Sequence, residues 1–189
     1  MSDLQDYLND PARPELVAQV RKKIDELGVD NIYYQYVSIT GRIMGKVIPA
    51  KHWERVTDTG MQTWLGGVTN VFADKEGDLI GFAPNASELL ALPDPDTFCQ
   101  LPWNKRLARV FCTVFFSRED PERPEEFLDS DTRGNLRRIH KQFGDDHGLQ
   151  MRVGCEPEML WLEPGDDKAP YYGTTKPYAY HLDQFEQLP

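Results

Sequence analysis

Apolar and polar positions follow two rhythms along the chain. From Glu15 to Leu27, residues Leu16, Val17, Val20, Ile24 and Leu27 recur at helical spacing. That predicts one amphipathic helix, with Arg21-Lys22-Lys23 and Asp25-Glu26 on its solvated side and Gly28 as its stop. Residues 31–39 (NIYYQYVSI) are β-branched and aromatic, Thr40-Gly41-Arg42 is turn chemistry, and residues 43–48 read as a second strand. The expected product is a hairpin. Pro49 then opens a short helical stretch (AKHWERV) that Gly60 ends. Residues 61–85 carry Gly66-Gly67, Gly77 and Gly81 with poor periodicity and predict only short strands or loops. Leu89-Leu90-Ala91-Leu92 reads as an apolar strand closed by the turn Pro93-Asp94-Pro95-Asp96, and residues 109–116 (RVFCTVFF) as a buried strand.

The second half is less regular. Residues 117–131 are polar and carry Pro121 and Pro124, which predicts a loop or linker and a domain boundary. A helix is expected over 131–142, with Leu136, Ile139 and Phe143 on one face, then a strand over 150–162 (QMRVGCEPEMLWL). Residues 163–189 show no clear regular element. The organisation expected is a tail (1–14), a first domain (15–116), a linker (117–130) and the start of a second domain (131–189). A strand, a helix, a strand and an irregular tail are too little to close a core, so this second unit reads as cut short.

Composition narrows the function classes. The chain has 189 residues, with 21 Lys and Arg against 31 Asp and Glu and a formal net charge of −10. Such a chain repels phosphate backbones, which argues against general nucleic-acid binding. No apolar run is long enough for a membrane span, and the acidic N-terminus lacks the apolar core of a secretory signal. Cys99, Cys112 and Cys155 are odd in number and widely spaced, so neither a disulfide framework nor a zinc site is expected, and a reducing cytoplasm fits best.

Gly154-Cys155-Glu156-Pro157-Glu158 is the sharpest chemical constellation. In a strand Glu156 and Glu158 would share a face, roughly 7 Å apart. Paired carboxylates at that spacing suit hard divalent cations such as Mg²⁺ or Mn²⁺ bridged by a phosphate. The plainer reading is a solvated edge carrying two harmless acids, and spacing alone favours it. Pro157 cannot donate to a ladder, so on either reading this is an edge, a bulge or a mouth of a sheet. The four tryptophans read most simply as core or subunit contacts, and the four histidines lack metal spacing with one another.

Taken in order, several stretches resemble the glutamine synthetases and their γ-glutamyl-amine ligase relatives. Tyr36-Val37-Ser38-Ile39-Thr40-Gly41-Arg42 with Gly45-Lys46-Val47-Ile48-Pro49 is similar to that family's early hairpin. Ser87-Glu88-Leu89-Leu90-Ala91-Leu92-Pro93-Asp94, Thr97 and Leu101-Pro102-Trp103 resemble its S-D-x-x-L-x-P-D-x-x-T-x-x-x-L-P-W run, and residues 108–112 its next strand. Asp131-Thr132-Arg133 with Leu136-Arg137-Arg138 resembles D-x-R-x-x-L-K-R, and Glu156-Pro157-Glu158-Met159 stands where the family has its E-x-E-F metal strand.

The resemblance covers most of residues 15–162 and implies an α+β chain: a β-grasp N-terminal domain, then the start of the catalytic α/β domain. It implies an ATP-dependent ligase that makes γ-glutamyl phosphate from glutamate and joins it to ammonia or an amine. Glu158 would bind the Mg²⁺ or Mn²⁺ ion nearer glutamate and the amine, and Glu156 the ion at the transferring phosphate. It also implies a homo-oligomeric ring in which the β-grasp domain of one subunit closes the site of the next. Ammonia users carry an Asp in an F-D-G-S stretch. Here Trp64-Leu65-Gly66-Gly67 is its counterpart, placing Leu65 and Gly66 on the amine side without a carboxylate and pointing to a larger amine. Family subunits are more than twice this long, and the remaining ligands, including a His, an Asn-Gly stretch and arginines, belong to later positions. No catalytic residue is therefore assignable, and the chain alone is expected to be inactive. The alternative is a truncated, inactive family member acting as a binding or regulatory subunit.

Overall fold

The computed structural model describes residues 2–64, 72–73, 75–80 and 87–158. The chain divides into two compact units, Met1–Gln150 and Met151–Pro189.

The first unit is built on a sheet. Its described helices are α1 (Asp3–Leu8), α2 (Arg13–Leu27), α3 (Trp53–Thr59) and α4 (Thr132–His147). Its strands are β1 (Asn31–Val37), β2 (Ile43–Pro49), β3 (Met61–Thr63), β4 (Phe72–Ala73), β5 (Leu79–Ile80), β6 (Leu89–Pro93), β7 (Cys99–Leu101) and β8 (Asn104–Phe116). The main sheet runs β2-β1-β8-β6-β3, with β7 also on β8; β4 and β5 pair separately. Only β1 and β8 pair in parallel among the described pairs of this sheet, in register Asn31↔Leu107 to Gln35↔Phe111. This is a mixed α+β architecture.

Side-chain alternation places the core. Ile32, Tyr34 and Tyr36 point inward from β1, matched by Ala108, Val110, Cys112 and Val114 of β8. Helices α2 and α3 cover that face with Val20, Ile24, Trp53 and Val56. Trp53 is fully buried, and its indole N–H donates to the Val17 carbonyl at 3.0 Å, so the largest core side chain leaves no orphan donor. Gly28 ends α2 at φ +64°, the left-handed conformation that glycine adopts without strain. The hairpin also needs a glycine. A Cβ on Gly45 would lie 2.0 Å from the Tyr34 carbonyl oxygen, so the two backbones meet where any side chain would intrude.

Four expectations change. Residues 1–14 are not a tail: Ser2 caps α1 by accepting from the Gln5 N–H at 3.3 Å. Leu4, Tyr7 and Leu8 then pack on the second sheet face with Leu90, Leu92, Phe115 and Phe127. Every residue of β6 is buried because both of its faces are covered. Nor is 117–130 a free linker. Phe116 N–H donates to the Glu126 carbonyl at 2.8 Å, Phe127 stacks on Phe115 at 4.8 Å, and Leu128 is fully buried, while the division into units falls after Gln150. Two apolar residues among many charges were too weak a pattern to announce this packing.

The face of α4 is inverted relative to expectation. Leu136 and Ile139 are exposed, at 63% and 58%, while Gly134 is buried and Arg133, Arg137 and Arg138 make the contacts within the unit. Finally, the described part of the expected strand, 150–158, is irregular and exposed. A strand requires a ladder, Pro157 offers no donor, and no ladder partner exists for this segment among the described residues. Among the tryptophans, Trp53 is core whereas Trp64 and Trp103 are exposed.

Candidate functional site

Glu156 and Glu158 lie in the second unit, both exposed, on the irregular segment that follows α4 and its left-handed cap Gly148. Their carboxylates are hard oxygen donors, the ligand type that Mg²⁺ and Mn²⁺ take. Two such groups do not complete a coordination shell. Among the described residues, no group of three or more His, Cys, Asp and Glu side chains is gathered as a metal site requires. Leu65 and Gly66 lie outside the described residues.

In the first unit, two of the stretches singled out in the sequence meet at one buried carboxylate. Asp94, 2% exposed, follows β6. It takes an ion pair from Arg133 and a second from Arg137 Nη1 at 2.8 Å, both one turn apart on α4. The Thr113 hydroxyl on β8 donates to it at 3.1 Å, and the Tyr7 hydroxyl on α1 donates to its Oδ1. Arg13, at the start of α2, sits 4.6 Å over the Tyr7 ring and donates to the carbonyls of Pro93 at 3.1 Å and Thr57 at 2.9 Å. One carboxylate thus joins α1, β6, β8 and α4.

Electrostatics follow from that burial. Desolvation, and then the charge of Asp94, push the Tyr7 phenol well above its ordinary range, so it remains a hydrogen-bond donor. Burial works against the Arg137 cation, but Asp94 outweighs it and its pKa rises. Beside this node, Asp131 receives the Val114 N–H at 3.0 Å just before α4. Burial raises its pKa, opposed by that N–H. A Cβ on Gly134 would come within 2.5 Å of the Asp131 carboxylate, which explains a glycine in the first turn of the helix. The node is a clamp: every polar member is anchored on backbone or on a charge partner. Sequence reasoning passed over it because Asp94 read as turn chemistry and Tyr7 and Arg13 lay in the presumed tail. The one local hint was the pair Arg133 and Arg137 at i and i+4, a weakly repelling pair that an anion between them relieves, and it does not say where that anion comes from.

No protein-family model matches the chain. It is similar to the protein described as "Glutamine synthetase" from Staphylococcus aureus (strain Mu50 / ATCC 700699), 26% identical over 153 residues that make up 79% of this chain and 31% of that one. It is equally similar to the glutamine synthetase of Staphylococcus epidermidis (strain ATCC 35984), again 26% identical over 153 residues. The chain therefore spans 31% of the length of these curated relatives. Among solved structures it resembles a GmaS/ADP complex (conformation 1) with TM-score 0.52 and 19% identity, covering 67% of this chain and 26% of that one. Apo GmaS without ligand aligns with TM-score 0.51 at 18% identity over the same shares.

Proposed function

We propose, on the premise that this chain belongs to the glutamine synthetase family, that it supplies the N-terminal portion of an ATP-dependent carbon–nitrogen ligase. The reaction is the joining of glutamate, through γ-glutamyl phosphate, to ammonia or an amine. The observation that carries this reading is the match to glutamine synthetases over 79% of the chain. Its support from the fold is the meeting of Pro93-Asp94 with Arg133 and Arg137, stretches that resembled family motifs separately. We read the sheet covered by α2 and α3 as a β-grasp domain, and residues from 131 onward as the start of the catalytic portion, with α4 packed within the first unit.

In this reading Glu156 and Glu158 would each hold a divalent cation, with further ligands outside the described residues. Such an ion offsets the negative charge of a transferring phosphoryl group. What this chain's residues contribute is oxygen donors at two alternate positions, kept solvated and ready to exchange water for metal. The acceptor side assigned to Leu65 and Gly66 carries no carboxylate to attract ammonium, which favours an amine larger than ammonia. The ring assembly and the cytoplasmic setting belong to the same proposal. No helix among the described residues is long and apolar enough to cross a membrane.

The test uses the longest form of the protein isolated from its own cells, identified by intact mass. ATP-, glutamate- and Mg²⁺-dependent phosphate release should occur with an amine, exceed that with ammonia, and collapse in Glu158→Ala. Release unchanged in that variant overturns the metal role. No amine- or ammonia-dependent release from that form, with Mg²⁺ or Mn²⁺, overturns the ligase reading.

A further inference from the structure

Beside the Asp94 clamp, and independent of Glu156 and Glu158, α4 forms one wall of an open cleft of about 270 Å³. Its lining is Tyr7, Thr113, Phe127, Gly134, Arg137, Arg138 and Lys141. The chemistry of this wall runs against that of the whole protein. A chain with ten more acids than bases places three cationic side chains on this lining and no carboxylate at all. The nearby acids are off the lining and already engaged, two of them as ion-pair partners of its cations. Asp94 is buried among its own arginine and hydroxyl partners, and Asp145 pairs with Lys141 from the next turn of the helix. Asp131 lies under Gly134, fully buried, with its Oδ2 on the Val114 N–H.

The arginines are held rather than free to wander. Arg137 is fixed through Nη1 by Asp94 at 2.8 Å. The Arg138 guanidinium stacks 4.5 Å from the Phe127 ring centre, and its Nη2 donates to Asn135. Its Nη1 is buried beside Gly134, near the Asp131 carboxylate, and makes no hydrogen bond; the Asp131 Oδ1 makes none either. A buried, charged donor without a partner costs more than an ordinary unmade hydrogen bond, and an incoming acceptor would recover that cost. A guanidinium presents planar donors matched to the oxygens of phosphate and carboxylate, and Lys141 adds a mobile point charge one turn on. Tyr7 and Thr113 line the cleft without adding charge, their hydroxyl protons held by Asp94. Phe127 stacks on Arg138 and restricts it to one plane.

We propose that this cleft binds a small, multiply charged oxyanion, held by Arg138 and Lys141 with Arg137 at its rim. The chemistry shared by an inorganic phosphate and a small dicarboxylate is what the lining recognises, and the cleft's volume falls just below the range of drug-sized ligand pockets. The site belongs to the first unit alone and needs no catalysis to be observed.

The experiment is calorimetric titration of the full 189-residue chain with inorganic phosphate and, separately, with malonate. Chloride keeps the ionic strength matched. Saturable binding of at least one is expected, and the identity of the tighter one assigns the source of the ligand. Lys141→Ala, an exposed position unconnected to the core, should weaken that affinity about tenfold, the effect of losing one charged hydrogen bond. Arg138→Gln should do the same or more while keeping the circular-dichroism spectrum, and Lys22→Ala on α2 should change nothing. If neither anion binds saturably, or if Lys141→Ala binds as tightly as the unaltered chain, the site does not exist.

Discussion

Replacing Asp94 by Asn removes one charge from the centre of the clamp and almost no volume. The amide oxygen can still accept from Tyr7 and Thr113, so the loss falls on the arginines. Arg137, whose side chain is 51% exposed, recovers much of its loss in water, whereas Arg133 at 21% recovers less. One charge-assisted hydrogen bond that cannot be remade, together with a half-buried guanidinium left unpaired, amounts to about 3 kcal/mol. For a chain of this size that corresponds to a fall in Tm of roughly 6–12 °C. Urea unfolding followed by circular dichroism should show a lower midpoint with an unchanged slope. Asp96→Asn, two residues away and exposed, serves as the control and should stay within about 0.5 kcal/mol. A double-mutant cycle with Arg133→Gln sharpens the test. If the penalty comes from leaving a charge alone, removing both costs less than the two single changes together, by at least about 1 kcal/mol. Asp94→Asn matching its control, with an additive cycle, would refute the clamp.

Two further outcomes follow from geometry and charge. Gly45→Ala sets a methyl group against the Tyr34 carbonyl oxygen, so the hairpin must part locally. A loss of about 1–3 kcal/mol is expected in urea unfolding, and an unchanged midpoint would contradict the close approach of β1 and β2. Glu54 is held below the usual carboxylate range chiefly by its hydrogen bond from Arg21, whose Nε lies 2.5 Å away. A depressed acid stabilises the fold fully above its unfolded value, about 4.3, and loses that contribution as pH falls through the lower folded value. Glu54→Gln should therefore lower the urea midpoint at pH 7 and lose most of that difference at pH 3. Because the pair is largely solvated the effect is small, and an equal difference at both pH values rules it out.

How much of this was legible differs by element. Helix α2, the hairpin β1–β2, α3, β6 and the buried half of β8 were all readable, because each carries five or more residues of clear period or a Gly or Pro stop. Strand β8 starts at Asn104, before its apolar run, because Asn104, Ala108 and Arg109 pair with β7 and residues from Leu107 on with β1, while Asn104, Lys105 and Arg106 stay exposed. Helix α1 was missed because six residues offer only Leu4, Tyr7 and Leu8 as pattern, and their burial depends on Phe115 and Phe127 far along the chain. For α4 the helix was legible, but its inward face was not. Periodicity finds an apolar stripe, and nothing local states that a buried carboxylate will draw the arginine stripe inward instead.

By itself, the sequence determined most of the turns and regular elements between residues 15 and 116, since glycine and proline placement and apolar period act within a few residues. It also settled the acidic balance, the order of motifs that points to the family, and the presence of Glu156 and Glu158 at alternate positions. Tertiary structure alone decided which faces of β6 are covered, that residues 117–130 belong to the first unit, and that Asp94 is shared by Tyr7, Thr113, Arg133 and Arg137. The physical reason is range. Backbone preference and hydrophobic period are local quantities, whereas the burial of a charge is favourable only when partners distant in sequence converge to solvate it.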